Sequence, residues 1–162
     1  MITMSRLKSF IIILFFSIPY FVYSQNNGSN LAQLKSNTFL YNSFTKFYKV
    51  NIKQKTKSKK GKYDYYQING VHFMDYNNDG LEDSLVEFST ISKSNSTSSL
   101  TVAVLFKKIK NDYKYIAHMQ PNETYFEKFS NSVFYFLGGI TSFSDEVVSE
   151  KYVLYSNKFV SQ

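Results

Sequence analysis

The sequence predicts an all-β or nearly all-β fold, a small antiparallel β-domain of meander and hairpin strands with one short N-terminal helix. Three observations carry that expectation. Leu100, Val102, Val104 and Phe106 alternate with Thr101, Ala103, Leu105 and Lys107, the period-two pattern of a strand with one strongly apolar face. Tyr113, Tyr115, Ala117 and Met119 alternate again beyond Asn111-Asp112, so Leu100 to Met119 reads as a hairpin. The chain also holds 14 tyrosines and 16 phenylalanines and no tryptophan, an apolar reserve suited to many short strands.

The first 24 residues stand apart from that fold. Arg6 and Lys8 precede the apolar run that starts at Ile11 to Phe16, with no acid among them. The run is interrupted by Ser17 and Pro19, and at about a dozen residues is shorter than the roughly 20 that cross a bilayer. It ends in Val22-Tyr23-Ser24, where small residues suit signal peptidase cleavage before Gln25. Residues 1–24 therefore read as a signal peptide, 25–30 as a flexible leader and 31–162 as one β-rich domain. The expectation is an exported protein, periplasmic or extracellular, with no stable membrane span after cleavage.

Cleavage there takes 24 of the 162 residues, leaves 138, and lowers the formal charge from +7 to +5. Arg6 is the only arginine, so the mature positive charge is all lysine. That argues against nucleic acid as a partner, since bidentate phosphate and base recognition favours Arg. There is no cysteine, hence neither a disulfide staple nor a lipidated N-terminal Cys. Such a domain must be held by its core, with a bound metal as the available supplement.

Leu31, Leu34, Leu40, Phe44, Phe47 and Tyr48 recur at helical spacing, with Asn37 or Thr38 as N-cap, and Val50 and Ile52 then alternate as a strand would. Lys53 to Lys62 (KQKTKSKKGK) carries six lysines in ten residues and no apolar side chain. It reads as a solvated loop or lysine-protected edge, with a polyanion site as the alternative. Tyr63 to Phe73 and Leu85 to Ile91 read as strands on either side of an acidic loop, and the polar Ser92 to Ser99 as a connection. Pro121-Asn122 ends the hairpin. Ser132 to Leu137 reads as a strand broken at Gly138-Gly139, and Lys151 to Tyr155 with Phe159-Val160 as a final hairpin across Ser156-Asn157. Seven or eight strands result.

The acidic loop carries the chemistry. Asn77-Asn78-Asp79-Gly80 makes a good tight turn, because Asn, Asp and Gly tolerate positive φ. A turn alone leaves Asp75 and Asp83 unexplained. Calcium takes six to eight oxygens, and a nine-residue wrap aims side chains at positions one, three, five and nine, plus a main-chain carbonyl at seven, toward the ion. Asp75, Asn77, Asp79, the Leu81 carbonyl and Asp83 occupy those positions, and Gly80 at six permits the sharp bend. Position twelve, where an EF-hand has a bidentate Glu, is Val86, so the loop is of a strand-loop-strand kind.

DYNNDGLEDSLVEF, Asp75 to Phe88, resembles the D-x-N-x-D-G-x-x-D-x-x-V loops of FG-GAP and VCBS-type proteins, the calcium-binding β-hairpin loops of integrin α-subunit propellers and of many exported bacterial proteins. The resemblance covers about fourteen residues. It implies one calcium ion held by Asp75, Asn77, Asp79, Leu81 through its carbonyl, and Asp83. Two features depart from the pattern. Ser84 replaces the usual apolar residue, so the following strand is expected one residue late, and no Phe-Gly…Gly-Ala-Pro signature or second loop is present. A propeller blade needs about 40 to 45 residues, so a stand-alone domain is expected. Three carboxylates and one amide imply weak, extracellular-type affinity, on the order of 10⁻⁵ to 10⁻³ M.

No catalytic constellation can be assembled. His72 and His118 are the only histidines, and His72 reads as an ordinary strand residue; there is no Cys nucleophile, no HExxH and no G-x-S-x-G. Glu123 and Glu127 could be drawn as a carboxylate pair, without support from their spacing. The expected function is a calcium-stabilised binding or structural module, not an enzyme, with an extracytoplasmic protein or glycan as partner. The alternatives are an extracellular hydrolase with an unassigned site and a lysine-rich binder of acidic glycans or lipids.

Overall fold

A computed structural model describes residues 28–53, 65–91, 99–121, 124–140 and 147–162. The expected signal peptide and most of the lysine-rich run lie outside the described residues. No helix among those described is long and apolar enough to cross a membrane.

The fold is mostly antiparallel β, as expected. Residues 28–36 form a first helix, α1, so helical structure begins inside the segment read as leader. Asn37 interrupts it with extended backbone, and its Oδ1 accepts the Leu40 N–H at 3.1 Å. This N-cap starts α2 (Thr38–Phe47), which buries Leu40, Phe44 and Phe47 along one face. The strand expected at Val50 and Ile52 is not formed. Tyr48–Lys53 instead continues α2 as a π-helix. Tyr48 and Ile52, four residues apart, both turn to the core, while Val50 faces solvent. Alternation of Val50 and Ile52 with polar residues is thus met by a helix that shows only one of the two to the core.

Among the described residues eight strands follow: β1 (Tyr65–Met74), β2 (Asp83–Ile91), β3 (Ser99–Ile109), β4 (Asp112–Met119), β5 (Thr124–Ser130), β6 (Val133–Ile140), β7 (Val147–Tyr155) and β8 (Lys158–Ser161). They make two four-stranded meanders, β1-β2-β3-β4 and β5-β6-β7-β8. The β3–β4 hairpin and the terminal β7–β8 hairpin are those read from the sequence. Ser156 and Asn157 both have positive φ, as do Asn131 and Ser132 between β5 and β6, the geometry of tight hairpin turns. The sequence reading missed β5. It also broke β6 at Gly138, whereas the strand runs to Ile140 with a register shift after Leu137.

Sheet one is the middle layer. From β2 and β3, Val86, Phe88, Val102, Val104 and Phe106 pack against Leu40, Phe44 and Phe47 of α2, with Phe44 edge-on to Phe88 at 5.2 Å. Leu85, Ala103 and Leu105, on the opposite face, pack against Phe134 and Phe136 of sheet two. All of these residues are buried. The expectation of one strongly apolar face on β3 is therefore half of the answer, because Ala103 and Leu105 are also fully covered. Burying such side chains contributes roughly 1.5 to 3 kcal/mol each, which suits a domain without disulfides.

Candidate metal loop

β1 and β2 pair antiparallel from Tyr65↔Ile91 to Met74↔Asp83, so the acidic loop, residues 75–82, closes the hairpin between them. β2 begins at Asp83, not at Leu85. Ser84 is fully buried within the strand, and its hydroxyl has no hydrogen-bond partner.

The loop is wired by its own side chains. Both Asp75 oxygens accept main-chain N–H groups, Oδ1 from Asp79 at 3.1 Å and Oδ2 from Gly80 at 2.8 Å. The Asp79 N–H is shared with Asn77 Oδ1 at 3.0 Å, and Asp79 Oδ1 accepts the Leu81 N–H at 3.0 Å. These Asx-type bonds fold the segment back on itself. Asn78 and Gly80 supply the left-handed backbone at φ 57° and 78°.

Asp83 differs from the other three. It is fully buried, its Oδ1 accepts the Lys108 N–H at 2.7 Å, and its Oδ2 lies 3.4 Å from Asn77 Nδ2. Burial pushes its carboxyl above the usual carboxylate range. Asp79, at the surface, goes the other way: the Lys107 ammonium, 2.8 Å from its Oδ2, holds it below that range. The exit of the loop is braced from α2, where Asn37 Nδ2 meets the Tyr113 hydroxyl at 3.3 Å and that hydroxyl donates to the Glu82 carbonyl at 3.3 Å.

The predicted ligand residues Asp75, Asn77, Asp79, Leu81 and Asp83 thus occupy one loop and the first position of the strand that leaves it. Their donor chemistry, hard oxygens with three formal negative charges, fits a hard divalent cation. Among the described residues, no group of three or more His, Cys, Asp or Glu side chains is drawn together as a metal site. Lys107 bears on this directly, because it already neutralises the outermost carboxylate.

The sequence reading missed Glu87. It stands on β2 toward sheet two, almost fully buried, with Oε2 2.9 Å from His72 Nε2 and Oε1 accepting the Phe126 N–H at 2.8 Å. An acid inside an apolar strand, LVEF, was the available signal. His72 is a partly buried strand residue, as expected, with its ring 4.7 Å from that of Phe126. Of the drawn carboxylate pair, Glu127 lies on β5 with its carboxylate 3.8 Å from Lys128, and Glu123 is outside the described residues.

Comparisons of the chain with protein families, curated proteins and solved structures found no match.

Proposed function

We propose that the chain is an exported β-domain that takes up one divalent cation, calcium by the chemistry of its donors, in the loop between β1 and β2, and that it works as a binding or structural module. The observation that carries this reading is the loop's internal order. Asp75 spends both oxygens on the Asp79 and Gly80 N–H groups, while a buried carboxylate, Asp83, faces Asn77 from the far end of the wrap. Burying a carboxylate without a cation is costly, and a bound divalent ion offsets that cost. The ion would be held by Asp75, Asn77, Asp79 and Asp83 with the Leu81 carbonyl, and would fix the β1–β2 connection.

The test is thermal unfolding of the purified chain with excess EDTA and then with millimolar calcium or magnesium, beside an Asp75→Ala, Asp79→Ala double variant. At ligand ten times its dissociation constant the wild type gains about 1.4 kcal/mol, read as a calcium-selective rise in melting temperature that the double variant lacks. Equal melting in EDTA and calcium, with no heat of binding by calorimetry, would reduce the loop to a turn.

A further inference from the structure

The outer side of α2 and the turn between β3 and β4 enclose an open groove of about 1100 Å³. Its floor is Phe47 and Tyr113, both buried. Its walls are large apolar side chains left in solvent: Phe39 and Val50 on the helical side, Ile109 and Tyr115 on the hairpin, each between 38% and 53% exposed. Single exposed apolar residues are ordinary; here four are gathered in one concavity. The π-helix forms part of this wall, contributing Val50 and Asn51, and π-helical turns recur at functional sites.

Charge indicates what fits there. Lys46, Lys110 and Lys114 stand on the lining, and among the described residues none of the three is in an ion pair. Among the described lining residues the one acid, Asp112, already accepts the Tyr113 N–H at 2.7 Å. The occupant should therefore be anionic and apolar together. The chain's own first 24 residues are apolar but basic, and a second copy is net positive, so neither supplies the charge. The groove slightly exceeds the roughly 300 to 1,000 Å³ that accommodates a small ligand, which suits a length of polypeptide.

We infer that this groove is a docking site for an acidic peptide segment of a partner protein, with bulky aliphatic or aromatic side chains on the Phe39, Val50, Ile109 and Tyr115 walls and carboxylates toward Lys46, Lys110 and Lys114. This is the groove mode of peptide recognition, apolar anchors for affinity and charges for partner choice. The groove meets the acidic loop at Tyr113, whose hydroxyl donates to the Glu82 carbonyl, but the proposal does not require an ion to be bound there.

The test is selection of a random peptide library of about a dozen residues on the full chain, in parallel with a Lys46→Glu, Lys114→Glu variant shown by circular dichroism and melting temperature to be folded. A Phe39→Ser variant is carried alongside to probe the apolar wall. The expected result is enrichment of sequences combining Asp or Glu with Leu, Phe or Trp. Fluorescence anisotropy of an enriched peptide should then show affinity falling about tenfold for the charge-reversed variant, falling for Phe39→Ser, and weakening with added salt. Enrichment of neutral or basic sequences, no enrichment, or binding unchanged in both variants would overturn the proposal. So would groove-dependent binding of phosphatidylglycerol vesicles without acidic-peptide binding, or self-association that Phe39→Ser abolishes.

Discussion

Glu87, on β2 of the first sheet, accepts the backbone N–H of Phe126, on β5 of the second, and with its other oxygen meets the His72 ring. One buried carboxylate therefore joins two sheets beside the apolar contact of Leu85, Ala103 and Leu105 with Phe134 and Phe136. Glu87→Ala leaves that N–H and the imidazole without their acceptor and should destabilise the fold by about 2 to 3 kcal/mol. Glu87→Gln keeps an acceptor and should cost less. Urea unfolding with an unchanged m-value checks both; equal losses in the two variants would mean that the hydrogen bonds contribute little.

Gly70 faces the same pair. A Cβ there would collide with the His72 imidazole and come within 3.2 Å of Glu87 Oε2, whereas a Cβ on Gly80 would meet nothing within 4 Å. Gly80→Ala should therefore cost only the backbone penalty of φ 78°, about 1 to 2 kcal/mol. Gly70→Ala should exceed it, because it displaces the ring from its partner. Chemical denaturation of the two variants side by side orders them, and the reverse order would show that the imidazole yields freely.

Lys107 and a divalent ion would compete for Asp79. Lys107→Gln removes the bound ammonium and should tighten calcium binding about tenfold at low ionic strength. Titration calorimetry reads this directly. Unchanged or weaker calcium binding would place the ion away from Asp79.

Tyr66 provides a test on the alkaline side. Burial, reinforced by neighbouring Tyr41, pushes its phenol up to about 12. The folded chain keeps this proton where the unfolded chain, with a value near about 10, has lost it. The stabilisation is thus fully present below about 10 and disappears as pH rises through about 12. Tyr66→Phe should lessen the loss of stability over that window, followed by urea midpoints across the range. Parallel profiles for wild type and variant would show that Tyr66 ionises as freely folded as unfolded.

The parts of the fold legible in the sequence are those where the pleat is regular. Leu100 to Met119 alternates cleanly and reads as the hairpin it forms. β5 was hidden because its register shifts between Phe126 and Lys128, so that Phe126 and Phe129, three apart, both pack toward the second core and the period-two signal disappears. Val50 and Ile52 suggested a strand because π-helical placement of one at the core and the other at the surface imitates alternation. In the acidic loop between β1 and β2, residue types and spacing name the side chains that share the loop. Lys107 on Asp79 and Glu87 between the sheets are contacts between residues far apart in sequence, and no local pattern encodes them. The groove was equally invisible, since its two walls lie some sixty positions apart.

The strand order has a consequence for synthesis. Each sheet is a run of consecutive strands, and the chain passes from one sheet to the other once, between Met119 and Thr124. Every backbone pairing of the first sheet, and its helical cover, can form before residue 124 is added. What such a shortened chain cannot cover is the face bearing Leu85, Ala103 and Leu105, together with the Glu87 carboxylate. The nascent protein is thus a finished sheet with a bare apolar side that the segment 124–162 closes. Interruption of translation at that point yields a product built to stick.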